Sequence, residues 1–449
     1  MPARRVAIIG GGFSGAMAAV NLARFRGPPA TIIERAGVFG PGVAFGGRDR
    51  GQVLNVRAGN MSAYPDDPGH FERWLGSQGH AESGFAKRTD YGRYLAREIE
   101  TIGSAAPGAI ARIAQEAVSA QRHGGGWRVR CSGGSAVEAD VLILASGLAP
   151  PATPPELANA RLPRGKWIAD PWREDFTVAD DPRAPVLLIG TGLTMVDVAI
   201  TLAEQRDAPP IHALSRRGLL PRAHSAPAPT PRLAETPNAT LASLVSFTRK
   251  AAGEIGWRGA IDRLRPHTRA IWQRLDTAER KRFLRHLRPF WDVHRHRMAP
   301  ELAERIEGLI ADGALTVHAG RLENAVMDGG RIRVSWQVRG TAARVAFDFD
   351  RIVNCTGPAP LDGASAGPLI AGLLAEGHLV RDEMGLGVEV DAQSRALDAS
   401  GRAQNDLFAL GALTRGSFWE ISAVPDIRVQ AWDVARRLAN AHWVGGEGL

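Results

Sequence analysis

An α/β fold is predicted, with two Rossmann-like domains, each carrying a three-stranded ribbon, plus a helical insertion. Three observations predict it. Two glycine-rich turns each lie between an apolar strand and a helix. Strand and helix patterns alternate along most of the chain, which points to a mainly parallel sheet covered by helices. Residues 113–150 and 315–360 read alike, so one architecture occurs twice.

The first turn follows Arg5-Val6-Ala7-Ile8-Ile9. It reads Gly10-Gly11-Gly12-Phe13-Ser14-Gly15 and opens a small-residue helix over Ala16 to Arg24. The first amides of a helix lack partners and carry partial positive charge, so this position accepts a pyrophosphate. A side chain would block the approach, which accounts for Gly10, Gly12 and Gly15, with Ser14 among them. The strand Ala30-Thr31-Ile32-Ile33 then ends in Glu34, roughly 20 residues beyond the turn, the distance expected of a partner for ribose hydroxyls. A ligand-free turn with a surface glutamate competes. The order strand, G-x-G-x-x-G, helix, strand, acid favours a dinucleotide site.

The second turn follows Val186-Leu187-Leu188-Ile189 and reads Gly190-Thr191-Gly192-Leu193-Thr194-Met195. Gly190, Gly192 and Thr194 are the candidate phosphate contacts. Met195 replaces the third glycine, so this helix is expected slightly further from its strand. The next strand, Ile211-His212-Ala213-Leu214, ends in Ser215-Arg216-Arg217 and not in an acid. Two guanidiniums there would attract a 2′-phosphate, so NADPH is expected over NADH, although a solvated turn explains the same pair.

The echo closes each domain. After a strand, Gly124-Gly125-Gly126 turns a hairpin and Ala139 to Gly147 ends in small residues. Gly329-Gly330 and Phe349 to Gly357 repeat the pattern. Between them, residues 238–312 have helical period, with Leu264, Ile271, Leu275, Phe283, Leu287 and Leu302 apolar, and are expected to form the insertion. Runs around 150–155 and 225–237 look like linkers. A last helix is expected from Pro425, since proline early in a helix is a start signal.

The chain has 449 residues, 44% hydrophobic and 23% charged, enough for two or three cores. Its two cysteines, Cys131 and Cys355, are far apart, which disfavours a disulfide scaffold, a zinc site and a dithiol reductase centre. The net charge of +8 is spread along the chain and comes with no nucleic-acid module, so no nucleic-acid partner is expected. No apolar stretch is long enough to span a membrane. No signal-peptide pattern precedes the first strand, so a cytoplasmic location is expected. No metal is expected either: His294 and His296, two apart on a helix, point to different faces.

Three further blocks carry a likeness. The first is Phe39-Gly40-Pro41-Gly42-Val43-Ala44-Phe45 with Leu54 to Ala58, Met61 to Pro68, His70-Phe71 and Trp74-Leu75. The second is Pro289 to Arg297. The third is Gly411-Ala412, Arg415 to Glu420, Ala423-Val424-Pro425 and Arg428. With the two turns, these residues resemble the FAD/NAD(P)-binding oxidoreductases sometimes called the YdhS-like family. More distantly the chain is similar to flavin monooxygenases of the two-dinucleotide-domain type. The family usually has tyrosine where Phe45 stands. Related flavoproteins often carry Asp after the glycine equivalent to Gly411; Ala412 departs from that, and the acidic contact is dropped.

The resemblance implies FAD in the first site and a nicotinamide cofactor in the second. It implies an FAD-binding domain in two parts, 1–180 and 315–449, around an NAD(P)H-binding domain over 181–314. Asn55 and the Met61-Ser62 backbone become flavin-contact candidates, as does Gly411. Asp66 and its neighbour Asp67 could hold a ribityl hydroxyl or a substrate amine, unless they only start a helix at Pro68. If the Pro425 helix points at the flavin, its dipole would stabilise negative charge on the reduced ring. Trp419 would pack near the ring and Glu420 beside the substrate, with plain core the alternative for Trp419. The arginines of Pro289 to Arg297 would grip an anion or form a solvated face.

The function expected is an FAD-dependent, NAD(P)H-using monooxygenase acting on a small polar molecule. NADPH would reduce FAD by hydride transfer, and molecular oxygen would add at flavin C4a. An NAD(P)H-dependent reductase or dehydrogenase without oxygen insertion is the alternative among enzymes. A flavin-binding redox sensor without turnover is the alternative of another class, and the second turn argues against it.

Overall fold

The computed structural model describes residues 4–47, 51–79, 84–225, 233, 237, 240–362 and 365–440. Two compact units divide the chain. Met1–Arg48, Val56–Ala149 and Pro360–Leu449 make the first; Asp49–Asn55 and Pro150–Ala359 make the second.

In the first unit, β1 (Val6–Ile9) leads through the glycine turn to α1 (Phe13–Arg24) and β2 (Ala30–Ile33). Then come α2 (Gly42–Phe45), α3 (His70–Ser77), α4 (Arg88–Ala105) and β3 (Ile110–Ile113). A ribbon of β4 (Ala117–His123), β5 (Gly126–Cys131) and β6 (Ala136–Ala139) precedes β7 (Val141–Leu144). β1 pairs in parallel with β2, Val6 opposite Ala30, and with β7, Val6 opposite Val141. Every residue of β1 and β7 is buried, as expected of central strands covered on both faces. Each fully buried Ile or Leu there contributes about 1.5–3 kcal/mol.

The second unit contains α5 (Pro155–Ala158), β8 (Trp167–Ile168), β9 (Val186–Ile189), α6 (Leu193–Ala203) and β10 (Ile211–Ser215). The insertion follows as α7 (Leu241–Leu264), α8 (Thr268–Arg274), α9 (Thr277–Arg282), α10 (Arg288–Arg295) and α11 (Pro300–Ala311). α7 is kinked at Gly256, whose φ is 71°. Then come β11 (Leu315–Asp328), β12 (Arg331–Val338), β13 (Arg344–Phe349) and β14 (Arg351–Asn354). The sheet order is β13-β12-β11-β10-β9-β14-β8. β11 does two jobs. Its first residues pair in parallel with β10, Ile211 opposite Leu315. From Gly320 on it pairs antiparallel with β12.

The chain returns to the first unit with α12 (Gly367–Ala375), β15 (Arg395–Leu397), β16 (Ala403–Ala409) and α13 (Val424–Leu438). The first sheet then reads β15-β16-β7-β1-β2-β3. α13 starts where expected, with Pro425 in its first turn. It runs parallel to α1. A Cβ on Gly411, in the turn after β16, would press on Ser14 near the start of α1 and lie 3.8 Å from Ile427 of α13. At the other ends, a Cβ on Gly27 would lie 2.8 Å from Ala439. Phe25 meets Trp432 edge-on at 5.8 Å.

The internal echo is structural. Gly10 and Gly190 both have positive φ, 105° and 109°. A Cβ on Gly10 would collide with the Ala145 carbonyl, and one on Gly190 with the Cys355 carbonyl. Each ribbon forms as three antiparallel strands. The unit limits differ from the expected 180/181 and 314/315. They fall at Ala149/Pro150 and Ala359/Pro360, because the backbone hydrogen bonds of β11 tie the second ribbon to β10. The expected linker at 225–237 lies mostly outside the described residues, as do 238 and 239 at the start of the insertion.

Candidate cofactor-binding sites

The first turn is built to leave amides open. α1 has Gly12 at its N-cap, no side chain capping it, and no acid in its first turn. Such a helix start offers up to four amides without intrahelical acceptors. Gly10 donates to the Ile33 carbonyl at 2.9 Å. Gly11 donates to Glu34 Oε2 at 2.7 Å, and Ala36 donates to Glu34 Oε1 at 2.9 Å. Glu34 thus holds the shape of the turn. An ionised carboxylate has about four acceptor positions, so capacity for ribose hydroxyls is left. The block Phe39 to Phe45 lies against the turn: Gly40 donates to the Gly11 carbonyl at 2.7 Å, and a Cβ on Gly42 would stand 2.9 Å from Gly12 Cα. A glycine cradle beside an uncapped helix start fits a diphosphate.

The start of α13 lies on the same side as the start of α1. Gln430 fixes this corner. Its Oε1 accepts from the Gly411 amide at 2.7 Å, and its Nε2 donates to Ser394 Oγ at 2.9 Å and Thr414 Oγ1 at 3.2 Å. α13 also has no side-chain N-cap, but Asp426 sits in its first turn. The helix start therefore carries its own acid, and the positive end expected to face the flavin is partly compensated. Arg428, half-buried, donates to the Ser62 carbonyl at 2.9 Å. Burial pushes its pKa down, against the nearby Tyr91, Asp426 and Tyr94.

Met61 and Ser62 are buried in the same unit. Ser62 Oγ donates to the Asp67 carbonyl at 2.6 Å, and the Ala63 amide donates to the Tyr94 hydroxyl at 3.2 Å. Tyr64 donates to Glu98 Oε2 at 2.5 Å. Burial and then the Glu98 charge push the Tyr64 phenol far above its ordinary range, so it stays a donor. The segment 61–67 is thus latched to α4 by Tyr94 and Glu98 and to α13 by Arg428.

Three of the expected residues have protein partners. Asp66 pairs with Arg24 at 2.8 Å. Arg24 ends α1, roughly 16 Å along the helix from the glycine turn at 1.5 Å per residue. Asp66 is therefore an ion-pair partner on the far end of α1. Asp67 pairs with Arg73 at 2.5 Å, and α3 starts at His70 with Gly69 as N-cap, so neither acid caps it. Asn55 belongs to the second unit, where its carbonyl accepts from His224 Nε2 at 3.0 Å. Trp419 and Glu420 are buried, and the Arg415 guanidinium lies 5.3 Å from the Trp419 ring.

The second turn repeats the first. α6 has Gly192 at its N-cap, no cap and no acid in its first turn, and Gly192 faces open space. Thr194 lies in that first turn, half-buried, and Met195 is fully buried. Thr191 donates to the Leu219 carbonyl at 2.6 Å and lies 2.9 Å from Ser215 Oγ, which accepts from the Gly218 amide. This ties the loop carrying Arg216 and Arg217 to the glycine turn. Arg216 is exposed; Arg217 is half-buried, 5.7 Å from the Phe290 ring.

Pro289 to Arg297 packs the insertion. Arg297, 5% exposed, donates to Asp262 at 2.9 Å and to the carbonyls of His294 and Arg258. His294 stacks on Trp257 at 5.5 Å. Among the described residues no group of three His, Cys, Asp or Glu is placed to hold a metal, and no helix is long and apolar enough to cross a membrane. Gln430, which fixes the corner at Gly411, is not among the residues singled out in the sequence, whereas Arg428 stands in the third block. The one signal for Gln430 is a polar residue on the apolar stripe of Ile427, Ala431 and Val434.

Two units, each with a mainly parallel sheet and an uncapped glycine turn between strand and helix, define a fold with two Rossmann-like domains. Residues 7–149 match a family model described as FAD-NAD(P)-binding. No curated protein matches the chain. Solved structures share the fold along its length. A cadaverine monooxygenase of Erwinia amylovora bound to FAD is 12% identical, with a TM-score of 0.68 over 98% of this chain and 95% of that one. L-lysine 6-monooxygenase of Pseudomonas syringae is 17% identical, TM-score 0.67, over 98% and 99%. The ornithine N-hydroxylase of Kutzneria sp. 744, solved with reduced FAD, NADP+ and L-ornithine, is 16% identical, TM-score 0.66, over 98% and 99%.

Proposed function

We propose that the chain is an FAD-dependent, NADPH-using monooxygenase of a small polar molecule, within the YdhS-like group and located in the cytoplasm. The observation that carries it is the pair of uncapped glycine turns, one per unit. Amides of residues 12–15 would hold the FAD diphosphate, with Glu34 setting the turn and reaching the ribose. Arg428 would hold the Met61-Ser62 backbone in place beside the start of α13. Gly190, Gly192 and Thr194 would take the second diphosphate, and Arg216 with Arg217 the 2′-phosphate. Bound FAD supplies hydride acceptance and oxygen activation. The similar solved structures act on cadaverine, lysine and ornithine, so small amines are the first substrates to test.

The test is direct. The purified chain is expected to be yellow and to oxidise NADPH faster with a small amine, placing one atom from ¹⁸O₂ in the product. NADPH oxidation with no label in any product would favour the reductase. A colourless chain that takes up no added flavin would end the proposal.

Two variants probe the sites. Glu34→Ala removes the acceptor of the Gly11 amide in the turn and of the Ala36 amide after β2, and is expected to weaken FAD about tenfold, near 1.4 kcal/mol, measured by flavin fluorescence titration. Arg216→Ala with Arg217→Ala is expected to raise the KM for NADPH about tenfold or more while the KM for NADH changes little. Equal effects on both would defeat the 2′-phosphate assignment.

A further inference from the structure

We propose that Arg339, in the turn between β12 and β13, completes with Arg216 and Arg217 a three-guanidinium site for the 2′-phosphate of NADPH. The inference rests on the reading that the second turn takes a nicotinamide dinucleotide. It adds a specificity residue that lies 122 positions beyond Arg217 (339 minus 217) and that no nucleotide motif contains.

Register brings the three together. Ser215, which precedes Arg216, pairs with Ala319 of β11. The Ala319 carbonyl accepts from the Arg339 amide at 3.0 Å. Gly218, at the end of the arginine loop, packs on the same residue; a Cβ there would stand 3.1 Å from Ala319 Cβ. One residue of β11 therefore carries the arginine loop on one side and Arg339 on the other.

Three arginines of the ribbon are paired with acids, whereas Arg339, like Arg321, pairs with none among the described residues. Arg331 pairs with Asp181 at 3.2 Å, Arg333 with Asp348 at 3.3 Å, and Arg344 with Glu323 at 2.9 Å. Among the described residues no carboxylate pairs with Arg216, Arg217 or Arg339. Burial, and then the charges of Arg216 and Arg339, hold Arg217 below the usual arginine range. Three like charges without an acid is an arrangement that a phosphate monoester, near −1.5 to −2 at neutral pH, relieves. Guanidiniums present the planar fork that binds such a group through two parallel bonds. Phe290, beneath Arg217, steadies one of them.

The probes are 2′,5′-ADP and 5′-AMP, titrated into the full chain by calorimetry. The wild-type chain should bind 2′,5′-ADP the tighter. Arg339→Ala should weaken 2′,5′-ADP about tenfold and leave 5′-AMP within about twofold, with Arg339→Lys in between. Arg339 is exposed, so both variants should keep the far-UV spectrum of the wild type. If Arg216→Ala with Arg217→Ala loses the preference and Arg339→Ala keeps it, Arg339 is excluded and the dinucleotide reading stands. If Arg339→Ala weakens both probes alike, Arg339 is excluded as a contact of the 2′-phosphate. If the wild type does not separate the probes, the 2′-phosphate reading fails and this inference with it.

Discussion

Gly15→Val is expected to purify without flavin, its affinity for added FAD lowered about 100-fold, near 2.7 kcal/mol. A Cβ on Gly15 would overlap the Gly10 carbonyl oxygen and approach Ile8 Cγ2 to 3.0 Å. Neither neighbour can give way. The carbonyl belongs to the turn itself, and Ile8 is fully buried in β1. α1 must then move off the sheet and carry its open amides with it. Gly12→Ala is the sharper partner. Gly12 has φ −71° and ψ −172°, which alanine adopts freely, and its Cβ would sit 3.4 Å from Gly42 Cα. That variant should fold like the wild type, yet it places a methyl group where the diphosphate must approach. The ratio of absorbance at the flavin band to protein, with far-UV dichroism as the control, reads both. A folded Gly12→Ala or Gly15→Val chain that keeps stoichiometric FAD would show that the cradle is not the binding site.

The parts legible in the sequence were those in which sterics allow one residue type. Gly10 and Gly190 stand at positive φ against a carbonyl, and the chain shows this as glycine after four apolar residues. Pro425 marks the start of α13 because proline fits a first helical turn. Partners were not legible. Asp66 is a carboxylate in a loop either way; that Arg24 takes it depends on where α1 ends, 42 residues earlier. Asn55 shares a block with Met61 in the sequence, yet the chain changes unit between them. The limit expected at 314/315 fell at a real change from helix to strand. What the composition does not show is that Leu315–Ala319 zips onto Ile211–Ser215, across an insertion of helices. The ribbon echo pointed the right way, since the first ribbon also precedes the strand that closes its own sheet.

Lys166→Met should cost the second unit about 3 kcal/mol of stability, because it takes from a buried acid the nearer of its two cations. Lys166 Nζ donates to Asp350 at 2.7 Å and meets Asp180 at 2.9 Å. Asp350 is 3% exposed. The remaining cation near it, Arg351, lies 3.3 Å away and is itself fully buried. The backbone joins the same place: Ile352 donates to the Lys166 carbonyl at 2.8 Å and Asp350 to that of Pro185 at 2.8 Å. The cluster thus fastens β8, β9 and β14, and β9 leads into the second glycine turn. Burial by itself would lower the Lys166 pKa; the hydrogen bonds and charges of Asp350 and Asp180 outweigh it, and the net direction is upward. A raised value means that the unfolded chain loses its proton first. The stabilisation is complete below about pH 10.4, the unfolded lysine value, and is lost as pH rises through the folded one. Asp180, lowered by its hydrogen bond to Lys166, sets the other edge: its share is present above about pH 3.9 and lost as pH falls through the folded value. Urea unfolding from pH 6 to 11 should therefore show the wild type and Lys166→Met far apart at neutral pH and converging above about pH 10. Replacing Asp350 by Leu in the same chain should not recover the loss, since it takes from the fully buried Arg351 its carboxylate at 3.3 Å. A constant gap at all pH values would assign the effect to lost packing of the lysine stem and not to the ion pair.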